Sequence, residues 1–182
     1  PLLAAVLVRV NSQACSKTQP QFVIHCAAYT NVDKAEEELD IARKINVQGT
    51  ENIAKICSKY NIKLVYISTD YVFDGEKTTP YTIHDKPNPI NNYGLTKLQG
   101  ENIVKNTCQK FYIIRTSWLY GHHGKNFVVT MLSMKNNKEI KVVNDQIGCP
   151  TWTVELANGI IETIKNKSYG TYQIGGSGIA SW

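Results

Sequence analysis

The run Lys63-Leu64-Val65-Tyr66-Ile67-Ser68-Thr69-Asp70 indicates an α/β fold for this chain. Its β-branched and aromatic residues favour a short buried strand, and two hydroxyls and a carboxyl group follow where that strand ends. Similar apolar runs span Phe22 to Cys26 and Phe111 to Arg115. Stretches with helical spacing separate the three runs. The order strand, helix, strand, helix, strand predicts a doubly wound parallel sheet of the α/β class.

Tyr93 and Lys97 lie four residues apart in the second predicted helix, downstream of that central run. The spacing places both side chains on one helix face, where the ammonium would favour the phenolate and lower the pKa of Tyr93. Ser68 and Thr69 follow a parallel strand, and open α/β sheets bind ligands at the carboxyl ends of their strands. The pattern predicts a proton-transfer site for a carbonyl compound. The alternative is an ordinary pair of helix residues, because this spacing also arises by chance.

The segment after the first strand predicts one long core-facing helix that ends near Cys57. Asp33 has the character of a helix cap, and Glu36 three residues later resembles a capping box. Asn46 falls on the predicted buried face, where its amide would need hydrogen-bond partners. The apolar or small residues of that face recur at spacings of three and four: Ala35, Leu39, Ala42, Ile45, Gly49, Ile53 and Ile56.

Beyond Arg115 the sequence predicts shorter elements. Trp118 directly follows the third strand, where its aromatic ring could pack against a sugar and its indole N–H could donate a hydrogen bond. The elements after it are a helix from Asn126 and Phe127 to about Met134, a strand from Ile140 to Val143, a connection from Asp145 to Thr151 and a helix from Val154 to Ile164. The apolar face of the first of these helices is predicted at Phe127, Val128, Met131 and Leu132.

Length and composition predict one sizeable core. The chain has 182 residues, of which 42% are hydrophobic and 19% charged. Its formal charge of +5 would suit an anionic ligand such as a nucleotide, but the Lys and Arg residues are scattered, so we interpret them as solvated faces and predict no nucleic-acid partner. The apolar run Leu2 to Val8 is too short to span a membrane, and residues 1–19 are an unassigned N-terminal leader.

The cysteines and histidines predict no metal site. An odd number of widely spaced cysteines without a Cys-x-x-Cys pair favours reduced thiols in a cytoplasmic protein over disulfides or a zinc site. The four histidines lack metal-ligand spacing as well. The five cysteines are Cys15, Cys26, Cys57, Cys108 and Cys149.

Several separated blocks of the sequence resemble the extended short-chain dehydrogenase/reductases, and most of all the dTDP-4-dehydrorhamnose reductase family. The blocks follow one another in the family's order, which is more specific than any single motif. They are Pro20-Gln21-Phe22-Val23-Ile24-His25-Cys26-Ala27-Ala28-Tyr29-Thr30-Asn31-Val32-Asp33-Lys34-Ala35-Glu36, Ser68-Thr69-Asp70-Tyr71-Val72-Phe73-Asp74-Gly75, Tyr93-Gly94-x-x-Lys97-x-x-Gly100-Glu101, Arg115-Thr116-Ser117-Trp118-Leu119-Tyr120-Gly121 and Asp145-Gln146-Ile147-Gly148-Cys149-Pro150-Thr151.

The resemblance implies an incomplete Rossmann-like domain at residues 20–117. It also implies part of a smaller substrate-binding lobe at residues 118–182, interleaved with the last Rossmann elements. The family opens with a strand and a Gly-rich turn whose backbone amides receive a pyrophosphate. No such turn is present in this sequence, so we interpret the chain as a fragment that would be inactive alone. A homodimer is the partner expected for the full-length protein.

The resemblance further implies that the parent protein uses NADPH or NADH to reduce a dTDP-linked 4-keto-6-deoxy sugar. The catalytic residues would be Thr69, Tyr93 and Lys97. The cofactor would contact Ala27, Ala28, Tyr29, Asn46, Ser68, Tyr93 and Lys97. The sugar nucleotide would contact Val32, Thr69, Tyr71, Trp118 and Asn126. Asn46 would support the Tyr93–Lys97 pair, and a satisfied core amide explains its position equally well.

Two other functions stay open on the same fold. A nucleotide-sugar epimerase or dehydratase would also use a Tyr-x-x-x-Lys pair, but it would recycle a bound cofactor. A non-catalytic regulatory subunit is the second alternative, because the β-subunit of methionine adenosyltransferase resembles the same family. Trp118 and the Asp145-Gln146 block favour the reductase. The sequence leaves NADH and NADPH undecided, because the position that reads the ribose 2′ group lies in the part this chain lacks.

Overall fold

A computed structural model of the protein describes residues 12–182. The apolar run at residues 2–8 lies outside the described residues. The helices are α1 (Ser12–Thr18), α2 (Val32–Glu37), α3 (Leu39–Arg43), α4 (Thr50–Lys59), α5 (Asn92–Thr107), α6 (Phe127–Ser133) and α7 (Thr153–Lys165), with a π-helical segment at Lys44–Gly49 and a 3-10 turn at Asp70–Val72. The strands are β1 (Phe22–His25), β2 (Lys63–Thr69), β3 (Phe111–Thr116), β4 (Leu119–Tyr120), β5 (Ile147–Gly148), β6 (Thr151–Trp152), β7 (Gly170–Gln173) and β8 (Ala180–Ser181).

The described residues divide into two compact units. The first contains the chain up to Arg115 together with Ser168–Gln173, and the second contains Thr116–Lys167 and Ile174–Trp182. The assignment of residues 20–117 to a cofactor and of residues 118–182 to a substrate concerns binding roles, so it stays a prediction.

The first unit is built on a four-stranded sheet with the order β1-β2-β3-β7. β1 pairs in parallel with β2, with Val23 opposite Leu64, and β3 pairs in parallel with β7, with Ile113 opposite Thr171. The three strands predicted from the sequence are present, while β7 was not predicted. The predicted α/β class with a Rossmann-like parallel sheet is confirmed.

The core of the first unit lies where α4 and α5 pack on the sheet. Val23, Leu64 and Ile113 come from three strands, and Ala54 and Val104 come from the two helices; all five are fully or almost fully buried. Full burial of an aliphatic side chain of valine size or larger contributes roughly 1.5–3 kcal/mol. This packing fixes α5 against β2, which is the arrangement on which the candidate site depends.

The prediction of one long helix before β2 is only partly confirmed: the chain is helical without interruption from Leu39 to Lys59, but a break separates this run from α2. The helix begins at the cap residue Asn31, whose side chain accepts a hydrogen bond from the backbone N–H of Lys34, and not at Asp33. It breaks at Glu38, which leaves the helical conformation (φ −112°, ψ 40°) and accepts a hydrogen bond from the Tyr29 hydroxyl. The hydrogen bond between Tyr29, in the loop before the helix, and Glu38 therefore accompanies a break in the helix, although the hydrophobic pattern of the sequence continues through this position.

The buried face of this region is also displaced from the predicted one. Ile45 is 38% exposed, whereas its neighbour Asn46 is 1% exposed. A π-helical turn holds about one residue more than an α-helical turn, so the segment Lys44–Gly49 advances the buried face by one position. The buried residues are Ala35, Ala42, Asn46, Thr50, Ala54 and Cys57.

The second unit contains α6, α7 and two short strand pairs, with β4 parallel to β6 and β5 antiparallel to β8. The helix predicted over Val154 to Ile164 is confirmed as α7, whose Leu156, Ile160 and Ile164 are buried. The predicted start of α6 is confirmed as well, because Asn126 caps it.

Two predictions in the second unit fail. The strand predicted from Ile140 to Val143 is wrong: the segment is irregular, and its Ile140, Val142 and Val143 are exposed. An apolar run forms a stable strand only when a neighbouring strand takes up its backbone hydrogen bonds, and this run is paired with none in the described part of the chain. The predicted apolar face of α6 is only partly covered, since Val128 and Leu132 are exposed. None of the helices within residues 12–182 combines the length and the hydropathy that a membrane span requires.

Candidate active site

The carboxyl end of β2 presents Ser68 and Thr69, both almost fully buried. The Thr69 hydroxyl accepts the backbone N–H of Tyr71 at 3.2 Å and donates to the Asp70 carboxylate at 3.0 Å. These two bonds cap the short turn after the strand and fix the Thr69 rotamer. Burial raises the pKa of Asp70, against the opposing effect of the Thr69 hydrogen bond.

Helix α5 brings Tyr93 and Lys97 to this strand end. Its first turn is fixed twice: the Asn91 side chain accepts the N–H of Gly94 at 2.7 Å, and Glu36 accepts the backbone and side-chain N–H groups of Asn92 at 2.8 and 3.0 Å. Glu36 therefore caps α5 and not its own helix, which corrects the predicted capping box. A carboxylate at a helix N-terminus also interacts favourably with the helix dipole.

Two glycines allow α5 to lie directly on the strand and the turn that follows it. A Cβ atom at Gly94 would lie 2.0 Å from the carbonyl oxygen of Tyr71, and one at Gly100 would lie 2.3 Å from the hydroxyl of Tyr66. Neither position has room for a side chain. Close approach of this kind is one of the two uses of glycine in structured segments.

Lys97 is 2% exposed, and its Nζ donates to the carbonyl oxygen of Ile67 at 2.7 Å. The same nitrogen lies 4.2 Å from the centroid of the Tyr66 ring. Burial lowers the pKa of Lys97 to about 7, although the charges of Glu101 and Cys26 act in the opposite direction. The ammonium is thus held at the end of β2, where it titrates close to neutral pH.

Tyr93 lies edge-on to the ring of Tyr71, with 5.6 Å between the ring centroids. Burial raises the pKa of Tyr93 to about 12, although a hydrogen bond with Thr69 acts in the opposite direction. The predicted net fall in the pKa of this phenol is therefore wrong for the described structure, because burial outweighs the opposing effects. With this pKa the Tyr93 side chain carries its proton at neutral pH and is present in the acid form.

Asn46 connects the loop after β1 to α5. Its side-chain oxygen accepts the backbone N–H of Tyr29 at 2.8 Å, and its amide nitrogen donates to the Tyr29 carbonyl at 3.1 Å and to the Thr96 hydroxyl at 3.0 Å. The expectation that this buried amide needs partners is confirmed. These bonds satisfy a core amide and also support the helix that carries Tyr93 and Lys97, so both interpretations of Asn46 remain.

The remaining predicted cofactor residues follow β1. Ala27 is exposed, and Ala28, Tyr29 and Val32 are partly buried. Because β1 and β2 run in parallel, their carboxyl ends meet at the same edge of the sheet. The first unit therefore brings the loop after β1, the end of β2 and the start of α5 together. The assigned contacts of these residues with a ligand stay predictions.

The other two predicted substrate residues lie in the second unit. The Trp118 ring stacks on the ring of Trp182, with 3.7 Å between centroids, and Gly148 lies so close to Trp118 that an added Cβ would be 2.6 Å from the ring. Asn126 accepts the N–H of Val129 and donates to the Gly121 carbonyl. Both side chains thus have structural partners, and their contacts with a sugar stay predictions.

Sequence reasoning assigned no role to Glu101. Its carboxylate is fully buried and accepts hydrogen bonds from the Ser68 hydroxyl and the Arg115 guanidinium. One available signal was its position four residues after Lys97, which places both side chains on one helix face. The sequence offered no signal for Arg115, which reaches Glu101 from β3.

Two further features bear on this arrangement: metal ligation and the position of one cavity. Within residues 12–182, no group of His, Cys, Asp and Glu side chains could hold a metal ion. A cavity of about 330 Å³ lies at the amino ends of β2 and β3, and its lining includes Cys57, Ile62, Cys108 and Lys110. This is the opposite edge of the sheet from Tyr93 and Lys97, so we assign the cavity no part in the site.

Comparisons with known proteins agree with this geometry. The RmlD substrate binding domain family matches residues 8–182. The spore coat polysaccharide biosynthesis protein SpsK of Bacillus subtilis is 45% identical over 165 residues, which cover 90% of this chain and 58% of that protein. A dTDP-4-dehydrorhamnose reductase of Aggregatibacter actinomycetemcomitans is 40% identical over 174 residues, with the same coverage.

A solved structure shows the same relationship. The crystal structure of the dTDP-4-dehydrorhamnose reductase of Bacillus anthracis in complex with NADP superposes with a TM-score of 0.91 at 47% identity, covering 94% of this chain and 61% of that one. The chain thus spans about six-tenths of the length of the relatives it matches. It belongs to the RmlD substrate binding domain family, and the resemblance to dTDP-4-dehydrorhamnose reductases is confirmed.

Proposed function

We propose that this chain carries the proton-donating part of an NAD(P)H-dependent reductase that acts on a dTDP-linked 4-keto-6-deoxy sugar, of the dTDP-4-dehydrorhamnose reductase type. The observation that carries the proposal is the meeting of Thr69, Tyr93 and Lys97 at the carboxyl end of β2. The named relatives support the same reaction. Because the chain spans only part of their length, the activity is proposed for the protein expressed from its complete reading frame.

The residues at this sheet edge fit a nicotinamide cofactor. Ala27 and Ala28 offer small side chains at the end of β1, where a flat ring can approach the backbone. The Lys97 ammonium has three N–H donors, one of which is used by the Ile67 carbonyl, so donors remain for ribose hydroxyls. When bound, NAD(P)H would supply the hydride that reduces the keto carbon.

Proton transfer is assigned to the protein's own side chains. Tyr93 holds its proton at neutral pH and gives it to the keto oxygen, where negative charge accumulates. Thr69 donates a second hydrogen bond to that oxygen after turning its hydroxyl away from Asp70. The ammonium of Lys97 stabilises the phenolate that remains. Val32, Tyr71, Trp118 and Asn126 are the proposed contacts for the sugar nucleotide.

We propose a cytoplasmic location and a homodimer for the complete protein. The five cysteines are free thiols, which is the state favoured in a reducing compartment. Several large apolar side chains are more than 60% exposed, and such surface commonly lies at subunit contacts: Ile90, Leu132, Ile147 and Ile179.

The test is stoichiometric consumption of NADPH or NADH with a dTDP-4-keto-6-deoxy sugar, measured by cofactor absorbance with product identification by NMR. One cofactor oxidised per hydroxyl formed supports the reductase. Sugar conversion without net cofactor oxidation would identify an epimerase or dehydratase, and cofactor binding without sugar conversion would identify a regulatory subunit. The UDP-linked sugar serves as the control for the nucleotide.

A further inference from the structure

The carboxylate of Glu101 lies inside the first unit with 0% exposure, one helical turn after Lys97. Its Oε1 accepts the Ser68 hydroxyl at 2.7 Å and Arg115 Nε at 2.9 Å, and its Oε2 accepts Arg115 Nη2 at 2.7 Å. Lys105 Nζ lies 3.5 Å from Oε2 at the protein surface. Glu101 thereby connects α5 to the ends of both β2 and β3.

These contacts keep Glu101 ionised. Burial by itself would raise the pKa of Glu101, but the Arg115 guanidinium and the Ser68 hydroxyl outweigh burial and hold that pKa below its ordinary value. The two-pronged pairing with Arg115 is the geometry in which a buried carboxylate is best stabilised. An anion is therefore present one helical turn from Lys97 at neutral pH.

Four further titratable groups near Lys97 are in their neutral form at that pH. Burial lowers the pKa of the His25 imidazole at the end of β1 and raises the pKa of the Cys26 thiol that follows it. Burial also raises the pKa of the phenols of Tyr66 on β2 and Tyr93 on α5, so all four groups are neutral. Two groups, Glu101 and to a smaller extent Cys26, offset the cost of burying the Lys97 ammonium, and Glu101 makes the larger contribution.

We propose that Glu101 is a positioning residue of the site: it holds Ser68 at the end of β2 and keeps Lys97 in its ammonium form. The inference rests on the proposed reductase function for its consequence in catalysis. Ser68 gives its only hydroxyl proton to Glu101, so it orients the strand end and leaves donation to the substrate to Thr69 and Tyr93. The Ile67 carbonyl, which accepts a hydrogen bond from Lys97, belongs to the residue directly before Ser68.

The decisive variant is Glu101→Gln in the protein expressed from its complete reading frame. The amide keeps the shape and an oxygen for Ser68, but it removes the anion beside Lys97. We expect the fall in kcat at alkaline pH to begin roughly one pH unit lower, so that turnover is about tenfold lower at pH 8 and recovers towards the parental value at pH 6. An unmoved profile, or a uniform loss at every pH, would overturn the proposal, since acid cannot restore a merely structural defect.

Two further variants separate charge from position. Glu101→Asp keeps the anion but retracts it by one methylene from Ser68, so we expect an unmoved alkaline limb with lower kcat at every pH. Parental kcat in this variant would refute the positioning of Ser68. Glu51→Gln is the matched control, because Glu51 makes an exposed i,i+4 pair with Lys55 on α4, and it should leave kcat and the pH profile unchanged.

A measurement that needs no turnover keeps this inference distinct from the proposed function. The NMR titration of the carbon bonded to Nζ of Lys97, in ¹³C-lysine-labelled protein, should shift to lower pH in Glu101→Gln and stay in place in Glu51→Gln. If the parental protein reduces no keto sugar, the proposed function fails while this titration still tests Glu101. An unshifted Lys97 titration refutes the role of Glu101 whatever the reaction.

A double variant that also replaces Arg115 covers the case in which Glu101→Gln does not fold. Glu101→Gln leaves the Arg115 guanidinium buried without its counter-ion, which can unfold the protein. The double variant Glu101→Gln/Arg115→Met removes both charges and leaves neither unpaired. It should fold, as judged by circular dichroism, and its Lys97 should titrate at lower pH than in the single variant Arg115→Met, because those two proteins differ only in the Glu101 anion. Equal Lys97 titrations in the two folded proteins would overturn the proposal.

Discussion

Tyr93 and Trp118 are the two single residues with the most sharply different predicted roles. Tyr93→Phe removes the proton donor and keeps the ring, so we expect kcat to fall by roughly 10²–10⁴-fold with little change in KM. Trp118→Ala removes a surface that we propose to contact the sugar equally in the ground and transition states, so KM should rise more than kcat falls. Steady-state kinetics with varied keto sugar measure both. The reverse pattern would mean that the two roles are exchanged.

The single residue Lys97 is predicted to determine how kcat depends on pH. Its folded-state pKa is about 7 because of burial, so the required ammonium is present below that pH and is lost as pH rises through it. Lys97→Met should lower kcat by roughly 10²–10³-fold and abolish the fall in kcat that begins near neutral pH.

Lys97→Arg is the companion variant. It keeps a charge at every pH, so it should also lack the alkaline fall, but its planar guanidinium is a poor replacement for the ammonium on the Ile67 carbonyl and should not restore kcat. Profiles of kcat between pH 5.5 and 9 provide the comparison. Either variant retaining both the parental rate and the parental profile would show that Lys97 is an ordinary helix residue.

At the scale of secondary-structure elements, the contact of α5 with β2 depends on Gly100. Alanine usually stabilises a helix by roughly 1 kcal/mol relative to glycine, but here its Cβ would lie 2.3 Å from the Tyr66 hydroxyl and 3.0 Å from the Asn46 carbonyl. We expect Gly100→Ala to lower the free energy of unfolding by roughly 1–3 kcal/mol. Turnover should fall as well, because α5 carries Tyr93 and Lys97.

Asn102→Ala is the control for that prediction, because Asn102 lies on the exposed side of α5. Alanine is the better helix former, so this variant should match or slightly exceed the parental stability. Urea unfolding and kcat, measured on both variants, test the difference. A Gly100→Ala protein as stable and active as the control would show that α5 can move away from β2 without cost.

The stability of the whole molecule should depend on pH through His25. This imidazole is buried with its Nε2 3.1 Å from the Thr50 hydroxyl, and burial, reinforced by the charge of Lys97, lowers its pKa to about 4. Between pH 6.5 and 4 the unfolded chain therefore binds more protons than the folded one, and stability falls as pH decreases. The difference between the two pKa values corresponds to roughly 3 kcal/mol.

Replacement of His25 tests this dependence. His25→Gln should flatten the decline of the unfolding free energy between pH 7 and 4.5, because a neutral amide does not titrate. His84→Gln alters an exposed loop histidine and should reproduce the parental decline. Urea unfolding at each pH gives the comparison. An equally steep decline in His25→Gln would assign the acid sensitivity to the carboxylates.

Short-range patterns were enough to predict much of this protein. β1, β2 and β3 follow from compact runs of β-branched and aromatic residues, and the cap of α6 follows from an asparagine before an apolar run. The spacing of Tyr93 and Lys97 placed them on one helix, and the neighbouring blocks identified the family. Such features depend on residues within a few positions of one another, so they can be recognised without knowing how the chain packs.

Interactions between distant residues required the folded chain. Glu36 caps α5 across 56 positions of sequence, β7 joins the sheet beside β3, and the π-helical turn moves Asn46 into the core in place of Ile45. Glu101 forms its ion pair with Arg115 only because α5 packs on the sheet. The proximity of Lys97 in the sequence predicted a fall in the pKa of Tyr93, but that pKa rises. The free energy of a charge depends on its burial. Burial is a property of the packed molecule and cannot be read from the local sequence.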